Sequence, residues 1–347
     1  MSRCKGTGEF VQLDDTFAAY TRDIIAAICY EDEAPMVEDA GKSAEWHNMT
    51  MNLVYQQPVA VHLPFLMKLV RILPDAILKL YPAGGTCARL RSNAIDHIET
   101  AKKQNRGMEA ALKDVRSSML RHMLLDKDLP QSEKSTDRLA QELMNVVGAG
   151  GSTPGTALTI TTYHILSNPR VENKLRQELA GLTVNFPTEV PQLTDLERLP
   201  YLQACLKEGL RMGPGAIRRT PRCFPDDDVV YKDYVIPKNT PIGIATYYMH
   251  NDPEVFPEPF EFRPERWLAD DISLLKRNWV PFSRGARGCA GINLAMSELS
   301  LGISTLFRAD GPKLRLYETE RRDIQPCYDR IIGVPAPDAR GLRVTVH

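Results

Sequence analysis

The chain has 347 residues, 43% of them hydrophobic and 25% charged, with a formal net charge of −1. That balance belongs to a folded chain, excludes global disorder, and leaves no overall charge to draw it to nucleic acid or to an anionic membrane surface. Cysteines at 4, 29, 87, 205, 223, 289 and 327 match neither a secreted disulfide framework nor paired zinc knuckles, so a reducing compartment is expected.

The opening, MSRCKGTGEF, lacks the apolar stretch of a secretory signal. FAAYTRDIIAAICY spaces its apolar residues as a helix does, and so does GMEAALKDVRSSMLRHMLL. Between them lies VAVHLPFLMKLVRILPDAILKLY, whose Lys68, Arg71, Asp75, Lys79 and two prolines exclude a clean bilayer span. Its apolar residues suit a core or a membrane surface. The spacing then predicts one long helix over PQSEKSTDRLAQELMNVVGAGGSTPGTALTITTYHILSNP. Ser135, Thr136 and Asp137 are its candidate caps, and Asn168-Pro169 is its stop. Pro154 inside it frees the carbonyl of Gly150, which predicts a kink there.

DLERLPYLQACLKEGLRM predicts another helix, ended by Gly213-Pro214. VVYKDYVIPKNTPIGIATYY predicts a small hairpin turning at PKN. NDPEVFPEPFEFRPERWL opens an ordered, non-repetitive coil over 251–281, and ARGCAGINLAMSELSLGISTLF leads from a cysteine loop into a last helix. The expectation is a mainly α fold with a minor β-sheet, in one domain.

Four groups of residues carry chemistry. In PFSRGARGCAG, glycines at 285, 288 and 291 let backbone approach a flat ligand and aim amide N–H groups at the Cys289 sulfur. Arg287 is within reach of a carboxylate on that ligand; the competing reading is a glycine-rich turn with an incidental thiol. Glu208 and Arg211 share one helical face, either as a buried pair or as a solvated surface bridge. Arg266, in FRPERW, supplies a second guanidinium to complete a triad with a carboxylate removed from water. Ala149-Gly150-Gly151-Ser152-Thr153 leaves room beside a helix, either for a planar ligand or for a second helix.

These four groups, in this order and spacing, resemble cytochrome P-450, and the likeness runs from about residue 130 onward. The wording of LPYLQACLKEGLRMGPG and MHNDPEVFPEPFEFRPERWL is similar to fungal microsomal members, trichodiene-oxygenase-like enzymes of secondary metabolism among them. The resemblance implies haem b, with Cys289 as its iron ligand, and a cytochrome P-450 fold over 1–347 whose haem-binding core spans about 130–310. It implies Phe282, Arg287, Gly291, Gly150 and Arg222 around the haem, Thr153 and Ser152 at the oxygen pocket, and Glu208, Arg211 and Arg266 as a structural triad. It further implies O2 and a small lipophilic substrate, terpenoid or polyketide. NADPH-cytochrome P-450 reductase and cytochrome b5 are the implied electron donors, at the cytosolic face of the endoplasmic reticulum.

Against the family pattern, Ser152 stands where an acid usually precedes the threonine. The chain also begins at what resembles the fourth or fifth helix of the family. On that reading a membrane anchor, the early helices and most of the sheet precede the matched region. The alternatives within the family are a truncated non-catalytic member and a haem-thiolate isomerase or peroxide user needing no reductase. Outside it, a serine hydrolase fails because Pro154 occupies the second glycine position of Gly-x-Ser-x-Gly. A nucleotide binder fails because no Gly-Lys-Ser/Thr and no Gly-x-Gly-x-x-Gly occurs.

Overall fold

The computed structural model describes residues 4–30, 34–63, 65, 82–104, 117–182, 188–213 and 215–347. The apolar run at 66–81, the expected helical stretch at 107–116 and Pro214 lie outside them. In chain order the elements are β1 (Phe10–Gln12), α1 (Leu13–Tyr30), α2 (Ala40–His62), α3 (Pro82–Gln104), α4 (Met119–Leu125), α5 (Thr136–Leu166) and α6 (Pro169–Leu179). There follow α7 (Leu193–Glu197), α8 (Pro200–Met212), β2 (Val229–Tyr231), β3 (Tyr234–Ile236), α9 (Thr246–His250), α10 (Ser273–Asn278) and α11 (Ile292–Phe307). Last come β4 (Leu314–Leu316), β5 (Tyr328–Arg330), β6 (Ile332–Val334) and β7 (Arg343–Val346). The fold is mainly α with small antiparallel sheets.

The helix α5 organises the rest, because apolar residues buried along its length serve two cores. Its first half carries Leu139, Leu143 and Val147 into a cluster with Ile25 of α1, Trp46 of α2 and Ile98 of α3. Its second half carries Leu158 and Ile165 into a cluster with Leu202 and Leu206 of α8, Ile303 and Phe307 of α11, and Val344 of β7. β1 and β4 flank β7, pairing Phe10 with Thr345 and Leu314 with Val346. No helix among the described residues is long and apolar enough to cross a membrane.

Several boundaries differ from the sequence reading. Ser135 takes the N-cap position of α5 without a side-chain bond. The Thr136 hydroxyl donates instead to Glu99 at 2.9 Å. Asn168 does close the run, and its side chain accepts from the Val171 amide as the cap of α6. The helix expected over 195–212 is two elements, because Pro200 takes the first turn of α8 while Leu199 is extended. The hairpin turns at Lys232-Asp233 and not at PKN, with Lys232 at φ 52°. Within the expected coil at 251–281 the chain makes a 3-10 turn, Pro264–Leu268, and the helix α10.

Candidate functional site

The apolar face of α8 buries Leu202, Leu206 and Leu210, and the same face takes Glu208 and Arg211 fully out of solvent. Arg211 grips the carboxylate with two bonds, Nε to Oε2 at 3.0 Å and Nη2 to Oε1 at 2.9 Å. Arg266, presented by the 3-10 turn, donates Nε to Oε1 at 3.0 Å. Two further donors complete the shell: the Trp267 indole at 2.9 Å and the Arg263 amide at 3.1 Å. The structure therefore brings Glu208, Arg211 and Arg266 together, with every lone-pair direction of the carboxylate engaged.

His250 extends this network and was not singled out by the sequence. Arg211 donates Nη1 to the His250 carbonyl at 2.8 Å, while His250 Nδ1 lies 3.1 Å from the Arg211 carbonyl. His250 Nε2 accepts from the Val280 amide at 2.9 Å. An imidazole that donates at Nδ1 and accepts at Nε2 is neutral, and burial pushes its pKa down to about 4. Beside it runs a chain of rings, Phe256 to Trp267 at 6.1 Å, Trp267 to Trp279 at 6.0 Å and Trp279 to Phe282 at 6.2 Å. Phe282 thus meets the triad through packed aromatics, and it opens the cysteine loop.

That loop is shaped by backbone. The Cys289 amide donates to the Phe282 carbonyl at 2.9 Å and the Gly288 amide to the Gly285 carbonyl at 2.9 Å. Gly285 sits at φ 73°, where a side chain is strained, and a Cβ on Gly288 would lie 3.2 Å from the Gly285 carbonyl oxygen. Arg287 ends the 3-10 turn Gly285–Arg287, and Gly291 is the N-cap of α11. Residues 283–293 are exposed, the Cys289 thiol among them. A free sulfur on stripped backbone, at the positive end of a 16-residue helix, is a donor that would suit a metal-centred group such as haem.

α11 lies along α5, with Leu294 in the cluster that holds Val147, and Gly302 so close to Leu158 that a Cβ there would come within 2.9 Å. On α5, Ser152 donates to the Gly148 carbonyl at 2.7 Å and Thr153 to the Ala149 carbonyl at 3.0 Å. Of the two occupants the sequence left open beside Gly150 and Gly151, the structure places helices there. A Cβ on Gly150 would meet the Ile25 side chain at 2.7 Å, and one on Gly151 would meet Trp46 at 3.2 Å. The room these glycines spare is filled by α1 and α2, and what Gly150 offers a ligand is its carbonyl, left without a helical donor by Pro154. Arg222 bridges to Ile242 through its backbone, and its Nη1 donates to the Thr220 and Pro221 carbonyls at 3.0 and 3.2 Å.

On the α1 side of α5 a cavity of about 550 Å³ opens, bordered by Ser152, Thr156 and Thr159. Across it stand Asp14 and Asp15 of α1 and His47 of α2, with His47 Nδ1 2.6 Å from Asp15 and Gln12 donating to Asp14 at 2.8 Å. Burial pushes the Asp14 carboxyl up to about 6, against the pull of His47 and with the help of the Asp15 charge. Burial works against a charged His47, yet the bond to Asp15 and both carboxylates hold its pKa above the ordinary value. Asp15 and His47 are 32 residues apart. Nothing in the local sequence announces the pairing.

A family model described as Cytochrome P450 matches residues 3–319. A cytochrome P450 monooxygenase, oblB, of Aspergillus clavatus is 39% identical over 345 residues, 98% of this chain and 66% of the relative. A fusicoccadiene C-8 hydroxylase of Phomopsis amygdali is 37% identical over 348 residues, 99% of this chain and 66% of the relative. A stellatic acid synthase of Emericella variicolor is 34% identical over 364 residues, 98% of this chain and 65% of the relative. The chain thus spans just under two thirds of the length of these fungal proteins.

Proposed function

This chain belongs to the cytochrome P450 family, and from that premise we propose that it is a haem-thiolate monooxygenase. On this reading it places one oxygen atom from O2 into a small lipophilic terpenoid or polyketide of fungal secondary metabolism. The family implies haem b, which when bound supplies activation of O2, with a thiolate ligand favouring O–O cleavage.

Cys289 is the residue we assign to the iron, and the observation that carries the reading is its loop. The thiol is exposed on bare backbone, and the loop is tied through Val280 and His250 to the buried triad. Arg287 and Arg222 are the cations suited to the haem carboxylates, and Phe282 and Gly291 flank the sulfur in sequence. Glu208, Arg211 and Arg266 bind no substrate in this scheme; they fix the segment that leads into the loop.

Thr153 spends its hydroxyl proton on the Ala149 carbonyl, so it meets a neighbouring water as an acceptor and orients that water. Ser152 does the same toward Gly148. The freed Gly150 carbonyl is a third acceptor on that turn. Electrons come from NADPH-cytochrome P-450 reductase, with cytochrome b5 as a second donor, at the cytosolic face of the endoplasmic reticulum. One domain over 1–347 holds the site, its haem-binding core at about 130–310.

The test is a carbon monoxide difference spectrum of haem-loaded protein with and without Cys289→Ala. The reduced complex of the unsubstituted chain absorbs at about 450 nm, the wavelength for which the family is named, and the substitution abolishes that band. A band that survives unchanged overturns the assignment.

A further inference from the structure

We propose that a narrow crevice against the C-terminal half of α5, lined by His164 and Arg321, binds a small inorganic anion of chloride size. The crevice contains none of the residues assigned to the haem or the oxygen pocket, and it shares only Ile160 and Ile324 with the cavity beside Ser152. The proposal does not rest on the monooxygenase reading.

Three parts of the chain meet there. α5 contributes Tyr163 and His164, α9 and the residue that caps it contribute Tyr247 and Asn251, and the stretch from the 3-10 turn Arg321–Asp323 onward contributes Arg321 and Gln325. These six are the polar residues of the lining, and none of them is acidic. The rest of the wall is apolar, with Ile160, Met212 and Ile324 in it.

Arg321 donates Nη2 to the carbonyl of Phe260, which borders the same crevice, at 2.9 Å. Among the described residues its remaining N–H groups have no partner, and no carboxylate stands within ion-pair distance of it. The His164 ring stacks on Phe262 with centroids 5.1 Å apart and planes 4° from parallel. It makes no hydrogen bond among the described residues. Burial, with the charges of Arg321 and Arg211, pushes its pKa down to about 3. The imidazole is therefore neutral and keeps one N–H to give. Of the two guanidiniums felt at this ring, Arg211 has Glu208 as its counter-charge, and Arg321 has none.

A water in the crevice would accept from the free N–H groups and leave the charge of Arg321 unanswered. An anion does both, and its attraction is stronger between apolar walls than in open solvent. Size narrows the class. The crevice holds about 30 Å³, close to the share of one water molecule in the liquid. That room suits a halide and excludes sulfate, phosphate and larger organic anions. An ion seated between His164 and Arg321 ties the stretch 321–326 to α5.

The experiment is chlorine NMR on the full chain, with ionic strength held constant by gluconate. The protein is expected to broaden the chloride resonance, bromide to displace the ion and remove the broadening, and sulfate to leave it in place. Arg321→Gln keeps an amide donor and removes the charge, and it weakens binding about tenfold. His164→Phe keeps the stack on Phe262 and removes the N–H, and it weakens binding about threefold or more. Absence of broadening overturns the proposal, and so does broadening that survives both substitutions. Displacement by sulfate as readily as by bromide also overturns it, and that comparison decides on the unsubstituted chain should either variant fail to fold.

Discussion

Glu298 lies on α11, nine residues beyond Cys289, and is only 2% exposed. Neither carboxylate oxygen has a hydrogen-bond partner among the described residues, and the Tyr20 hydroxyl nearby donates to the Glu298 backbone carbonyl at 3.3 Å instead. Burial alone pushes the carboxyl from 4.5 up to about 8. At neutral pH the folded chain therefore keeps a proton there that the unfolded chain releases. The unfolded state binds fewer protons between pH 4.5 and about 8, so stability falls as pH rises through that window. The favourable side is fully present below the unfolded value. From 4.5 to pH 7 the loss is roughly 3 kcal/mol, at about 1.4 kcal/mol per pH unit.

Glu298→Gln keeps the shape and cannot ionise, though its amide still leaves buried groups unmatched at a cost of about 1–3 kcal/mol. The expected net gain at pH 7 is therefore about 1 kcal/mol. The sharper readout is slope. Urea unfolding from pH 5 to 8 should show the parent losing stability relative to the variant by about 1.4 kcal/mol per pH unit. Parallel stability curves would refute the reasoning, since they would mean that Glu298 reaches water or a cation in the folded state.

Glu208→Ala leaves two guanidiniums and the Trp267 indole without their shared acceptor, a loss of roughly 3–5 kcal/mol, read as a collapse of soluble yield and melting temperature. Glu208→Gln retains one acceptor oxygen and should fall between the two. Gly150→Ala drives a methyl to within 2.7 Å of Ile25 and should cost about 1–3 kcal/mol in overpacking, less the helix propensity gained. Adding Ile25→Val should recover part of that loss; in a thermal melt, no recovery would place the clash elsewhere.

Legibility in the sequence followed distance along the chain. Glu208 and Arg211 could be paired on paper because three residues of helix fix their geometry. Arg266 came with its motif, but Trp267 beside it gave no sign that its indole would join, since that depends on the 3-10 turn. His250 is 39 residues from Arg211, in a stretch without periodicity, and no local rule reaches that far. The bare pair Gly150-Gly151 announced a close approach and left open what approaches. The boundary at Pro200 was missed for another reason. The DLERL segment continues the apolar spacing of α8, and periodicity outvoted the preference of proline for a first helical turn. The Lys232-Asp233 turn was obscured because lysine seldom takes a positive φ, whereas PKN carries ordinary turn residues.

The shell around Glu208 also has a history in time. Its donors at Arg263, Arg266 and Trp267 lie 55 to 59 residues along the chain, so closing it requires a long loop to find one carboxylate. Contacts of that separation form slowly. His250 and Val280 join that loop to the backbone of 282–289. The placing of the thiol thus depends on a shell whose donors come from far along the chain, and a substitution in that shell should be felt at Cys289.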